Sequence, residues 1–108
     1  MNKFKIILTC DFKNMLYSRL EYYYLYSDNY VKTIIDELKA VIDIISKFPY
    51  IAPKYNSNQN LRRFVIKNKF AIIYKIDGDE IHMLYFLDGR MKNNSLEVNE
   101  TVSLIYAV

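Results

Sequence analysis

Arg62, Arg63, Lys54, Lys67, Tyr74 and Arg90 are the side chains of this sequence whose types suit a shared chemistry. Arginine offers paired N–H donors that match a phosphate, and lysine supplies a compact positive charge. A set of Arg, Lys and Tyr with no carboxylate can cleave RNA in one restricted way. The substrate's own 2′-hydroxyl attacks the neighbouring phosphate, basic side chains stabilise the developing charge, and one group acts as acid for the leaving oxygen. The same residues can also hold a polyanion without cutting it. Other chemistries lack their parts: the sequence has no Gly-rich phosphate loop, no paired metal ligands and no Ser-His-Asp set, so neither a metal nor a cofactor is expected. The lone histidine, His82, lies between Ile81 and Met83 and reads as a hydrogen-bonded structural residue.

Charge is unevenly placed. Residues 44–76 hold seven of the fifteen Lys and Arg (Lys47, Lys54, Arg62, Arg63, Lys67, Lys69 and Lys75) and none of the twelve Asp and Glu. A net charge of +3 thus hides +7 in one segment and −4 elsewhere. Gathered on a small domain, charge of one sign attracts polyanions, chiefly nucleic-acid phosphates or an acidic protein segment. A solvated rim of lysines around a sheet is the plainer alternative. The segment alternates with strongly β-forming residues, which favours a surface that binds something.

Those side chains need elements to position them. Residues 3–9 (KFKIILT) read as a first strand. Asp11 is an N-cap candidate, and Phe12, Met15, Leu16, Leu20 and Tyr23 then recur at helical steps to about Ser27. A second helix shows the clearest periodicity, from Val31 through Ile34, Ile35, Leu38, Val41, Ile42 and Ile45 to Phe48, where Pro49 stops it. Residues 49–60 are a loop. Strands follow at 61–67, 69–76 and 80–87, the last two joined by Asp77-Gly78-Asp79. Residues 96–108 fit either a short strand or a helical segment. Two amphipathic helices need a sheet apolar on one face to cover, so the fold class is α+β, with both helices on one face of a small, mainly antiparallel sheet. Alternation places Arg63, Val65 and Lys67 on one side and Arg62, Phe64 and Ile66 on the other. The two arginines therefore have different roles.

At 108 residues, 52% of them hydrophobic, the chain is expected to be one domain over 1–108, with 92–108 as a variable extension. Cys10 has no partner for a disulfide or a metal and reads as a small buried residue at a strand end. Only three consecutive apolar residues precede Thr9, too few for a signal peptide, and no window reaches membrane-spanning length. A soluble, cytoplasmic protein is expected.

Phe48-Pro49, a loop, Leu61-Arg62-Arg63, Tyr74 and Leu87-Asp88-Gly89-Arg90 together resemble the RelE/ParE superfamily of bacterial type II toxins, some known as plasmid-stabilisation proteins. The segments FPYIAPKY, LRRFVIKNKFAIIYKI and IHMLYFLDGR match a family pattern of helix, Phe-Pro, loop, Arg-Arg, a strand with Tyr-x-Ile-x-Tyr and a strand ending His-Gly-Arg, over residues 3–91. The resemblance implies the order β-α-α-β-β-β and a toxin neutralised by a cognate antitoxin that covers its basic surface. It implies one of two activities: cleavage of mRNA on the ribosome (an mRNA interferase) or poisoning of DNA gyrase. A binding module that has lost the toxin chemistry is the third possibility. Carried over by position, Arg63 or Arg62 matches the family's second-strand Arg, Arg90 the Arg after the last strand and Lys54 a loop lysine. The expected catalytic set is Arg63, Arg90, Lys54 and Tyr74, with Arg62, Lys67, Lys69 and Lys75 expected to bind nucleic acid or antitoxin. The chain departs from the pattern twice. Asp88 stands where the family has His, and the nearest following Tyr or His is Tyr106, sixteen positions after Arg90.

Overall fold

The computed structural model describes residues 3–55 and 58–89. In chain order these form β1 (Lys5–Leu8), α1 (Cys10–Tyr24), α2 (Asp28–Lys47), β2 (Lys54–Tyr55), β3 (Asn58–Ile66), β4 (Phe70–Asp77) and β5 (Glu80–Asp88). The sheet order is β1-β5-β4-β3-β2. β5 pairs parallel with β1, and the remaining pairs are antiparallel. Two helices between β1 and the meander supply the crossover that a parallel β1–β5 pair requires. The assignments at Arg90 and at residues 92–108 lie outside the described residues.

Local chemistry sets the helix ends. Thr9, not Asp11, caps α1: its Oγ1 accepts from the Phe12 N–H at 3.2 Å and donates to the Met83 carbonyl at 2.8 Å. A threonine hydroxyl can do both, whereas a carboxylate only accepts, so Thr9 also ties the helix to β5. Asp11 falls in the first turn, where its charge suits the helix dipole. Ser27 leaves the helical region and caps α2 through Tyr30 N–H at 3.1 Å, which ends α1 before Ser27. Phe48 and Pro49 stop α2 as the sequence implies. Cys10 is exposed at the first position of α1 rather than buried at a strand end.

The helices cover one face of the sheet. Phe12 and Leu16 from α1 and Ile34, Leu38, Val41 and Ile45 from α2 pack on Ile66, Phe70, Ile72, Tyr74, Ile81, Met83 and Phe86. Phe86 stacks on Phe70 at 5.2 Å between ring centres, and Phe12 meets Phe86 edge-on at 6.1 Å. On the opposite face Ile73 and Tyr85 form a second, smaller cluster with Tyr55, Leu84 and Leu87, reached from α1 by Met15. No helix among the described residues is long and apolar enough to cross a membrane.

A β-bulge decides which β5 residues meet the helices. Tyr74 pairs with Met83 but Ile73 with Tyr85, so Leu84 is an extra residue in β5. Ile81 and Met83 face the helices before it, and Phe86 and Asp88 after it. Asp88 is completely buried, and the Tyr23 hydroxyl donates to its Oδ2.

Tyr74 locks the segment between α2 and β2. Its side chain is fully buried and its hydroxyl donates to the Pro49 carbonyl at 2.7 Å. Burial pushes the phenol above its ordinary value. Tyr74→Phe leaves that carbonyl without its donor in an apolar setting, an expected loss of about 1–3 kcal/mol by urea denaturation.

Candidate anion-binding face

Register assembles a group of side chains on the face that α1 and α2 leave uncovered. Arg63 lies opposite Ile73, and Ile73 opposite Tyr85. One row on, Leu61, Lys75, His82 and Ile7 stand side by side across β3, β4, β5 and β1. Directly paired side chains start about 5 Å apart and diagonal ones about 7–8 Å apart, so Arg63, Lys75 and His82 form one oblique line. Arg63 is exposed, and Lys75 and His82 are half-buried. The Arg63 backbone N–H donates to the Pro53 carbonyl at 3.0 Å, which fixes β3 where that arginine leaves it. His82 Nε2 lies 3.2 Å from Glu80 Oε1. At that end of the face Glu80 pairs across the strands with Asp77 and with Lys5.

Two cations, an imidazole and a carboxylate on one sheet face can hold a phosphodiester and exchange a proton with it. Among the described residues no group of three or more His, Cys, Asp or Glu is arranged to hold a metal ion.

The structure resembles a chain of the chromosomal ParDE TA system from P. aeruginosa, with a TM-score of 0.65 and 13% identity over 78% of this chain and 94% of that one. It also resembles a chain of the toxin–antitoxin complex RelBE2 from Mycobacterium tuberculosis, with a TM-score of 0.55 and 10% identity over 82% of this chain and 93% of that one. These likenesses show a shared fold, RelE/ParE-like α+β with two helices and a mostly antiparallel five-stranded sheet. No protein-family model matches the chain, and no curated protein matches it by sequence.

Within this RelE/ParE-like fold the basic segment divides between two faces. Arg62 lies on the helix side, where Nη1 donates to the Ala52 carbonyl at 2.7 Å and the guanidinium covers the Tyr50 ring at 4.9 Å. It pins the loop that Tyr74 also holds. Lys67 does not continue the β3 alternation: with φ of 51° it opens the turn to β4, and its Nζ lies 3.6 Å from Glu37 Oε1 of α2. Lys69 lies over the Tyr30 ring at 5.6 Å. Lys54 is exposed on β2, paired with Arg62 in the ladder. The expected acid-free basic surface is thus replaced by a smaller group around Arg63 and Lys75, with Glu80 beside it.

Tyr74, expected in the catalytic set, is turned into the core, away from Arg63. Its parity on β4 with Phe70 and Ile72 puts it under the helices. Asp88, at the position of the family's histidine, is likewise inside. Arg90 lies outside the described residues. Sequence reasoning does not bring His82 and Glu80 together, although residues two apart on a strand share a face and Ile81 and Met83 supply the buried partners. That alternation is the available signal.

Proposed function

We propose that this chain is the toxin of a type II toxin–antitoxin module and that it cuts mRNA held on the ribosome. The likeness to chains of two toxin–antitoxin assemblies supports the toxin reading. The observation that carries the ribonuclease is the convergence of Arg63, Lys75 and His82 on one face of the sheet. A phosphate seated between Arg63 and Lys75 has its negative charge balanced as the 2′-hydroxyl attacks, which is the stabilisation that this reaction needs. Arg90 and Lys54 remain candidates to extend that contact.

A cognate antitoxin silences the chain. Its docking surface includes the outer side of α1 and the turn after it, where Tyr17, Tyr24, Leu25 and Tyr26 are 55%, 61%, 80% and 72% exposed. So dense a group of large apolar side chains on a small domain fits a protein partner.

Induced expression with and without the neighbouring gene tests the reading, with message ends mapped by primer extension. Growth arrest relieved by the neighbour, with discrete in-frame cuts, is the expected result. Intact transcripts with a DNA-damage response point to gyrase instead. Unimpaired growth under strong soluble expression points to a binding module without toxin chemistry.

A further inference from the structure

We infer that His82, oriented by Glu80, is the base that takes the proton from the attacking 2′-hydroxyl of a ribonucleotide phosphodiester, while Lys75 and Arg63 hold the phosphate. The inference rests on the ribonuclease reading and supplies the group which that reading lacks.

Of the groups that sequence alone points to, Tyr74 and Asp88 are both buried on the helix side. The Tyr74 hydroxyl donates to Pro49, and the Asp88 carboxylate accepts from Tyr23. Neither reaches a substrate on the far face. Arginine and lysine are poor proton acceptors near neutrality. His82 differs in direction and in chemistry. It faces away from the helices, directly opposite Lys75, and imidazole exchanges protons near neutral pH.

Glu80 decides which ring nitrogen can act. An ionised carboxylate only accepts hydrogen bonds, so Nε2, 3.2 Å from Oε1, carries the hydrogen when the ring is neutral. The lone pair is then on Nδ1, and the carboxylate also stabilises the imidazolium that forms. This is how a carboxylate orients a catalytic histidine in general. Glu80 lies two residues before His82, so the strand itself sets their spacing. The other charged groups on this part of the face are Lys75 and Asp77 on β4 and Lys5 on β1.

The step balances without a cofactor. The 2′-oxygen bonds to phosphorus as the bond from phosphorus to the 5′-oxygen breaks. Nδ1 of His82 receives the 2′-hydroxyl proton, water protonates the departing 5′-oxygen, and the imidazolium returns its proton to solvent. The products are a 2′,3′-cyclic phosphate and a 5′-hydroxyl.

His82 is the single histidine of the chain, so its imidazole C–H signals are unambiguous in an NMR spectrum. The experiment has two arms. In the first, a short 2′-O-methyl RNA, which cannot be cleaved, is titrated into the wild-type protein. The His82 signals are expected to shift together with the Arg63 amide. Movement of Arg63 with His82 silent would overturn the inference. In the second, single-turnover cleavage of ribosome-bound message is followed against pH. The wild-type rate should rise with pH as the base loses its proton, and His82→Gln should be roughly 10²–10³-fold slower without that rise and with unchanged ribosome binding. Glu80→Gln, which keeps an acceptor, should retain more activity than Glu80→Ala. An active wild type matched in rate and pH profile by His82→Gln would overturn the role of His82 alone. A wild type inert on ribosomes would overturn the ribonuclease reading, and this inference with it.

Discussion

Arg63→Ala is expected to slow message cleavage by roughly 10²–10³-fold, the loss typical of removing one stabiliser of developing charge. It should leave stability within about 0.5 kcal/mol, because the side chain is exposed and the backbone contact to Pro53 survives the substitution. Arg62→Ala should do the reverse. That guanidinium donates to the Ala52 carbonyl and lies on Tyr50, so its loss should cost about 1–3 kcal/mol of folding stability. Single-turnover cleavage and urea denaturation of both variants separate the two arginines. Neighbours in sequence, they point to opposite faces, and one substitution should be a functional lesion while the other is a structural one.

Phe12→Ala should cost more stability than either Arg62→Ala or Tyr74→Phe, about 3–5 kcal/mol. Phe12 is fully buried on the sheet-facing side of α1, edge-on to Phe86, and Phe86 in turn stacks on Phe70. Truncation opens a void where α1 joins β5, and neighbouring side chains in a close-packed interior collapse into it only in part. Small domains are stable by only about 5–15 kcal/mol, so this loss is a sizeable share of the whole. The urea midpoint should fall with the slope of the transition unchanged, since the surface exposed on unfolding stays nearly the same.

The helices and the hairpin strands were legible because each repeats a period: the apolar stripe of α2 and the Asp77-Gly78-Asp79 turn leave little choice. Strand β2 was not, since Lys54 and Tyr55 are too few to show alternation and read as part of a proline-bearing loop. The bulge at Leu84 was invisible too. Simple alternation from Ile81 and Met83 would send Asp88 to the far face, and the single extra residue turns it into the core beside Tyr23. Lys67 departs from its expected face for a related reason, because alternation ends where Lys67 and Asn68 take left-handed backbone angles of 51° and 59°. That Arg62 and Arg63 differ in role could be read from parity alone. Which of them faced outward depended on where the helices pack. His82, between apolar neighbours, reads in sequence as a hydrogen-bonded residue, and its Nε2 lies 3.2 Å from Glu80 Oε1, the carboxylate two residues earlier on the same strand face.

Incubating the purified chain with ribosomes translating a defined message, then mapping the new RNA ends, separates ribosome-dependent cleavage from gyrase poisoning. Discrete cuts that require the ribosome, leave a 2′,3′-cyclic phosphate and form roughly 10²–10³-fold more slowly with Arg63→Ala are the expected result. A message left intact at the highest protein concentration, alongside inhibition of supercoiling by purified gyrase, would contradict it.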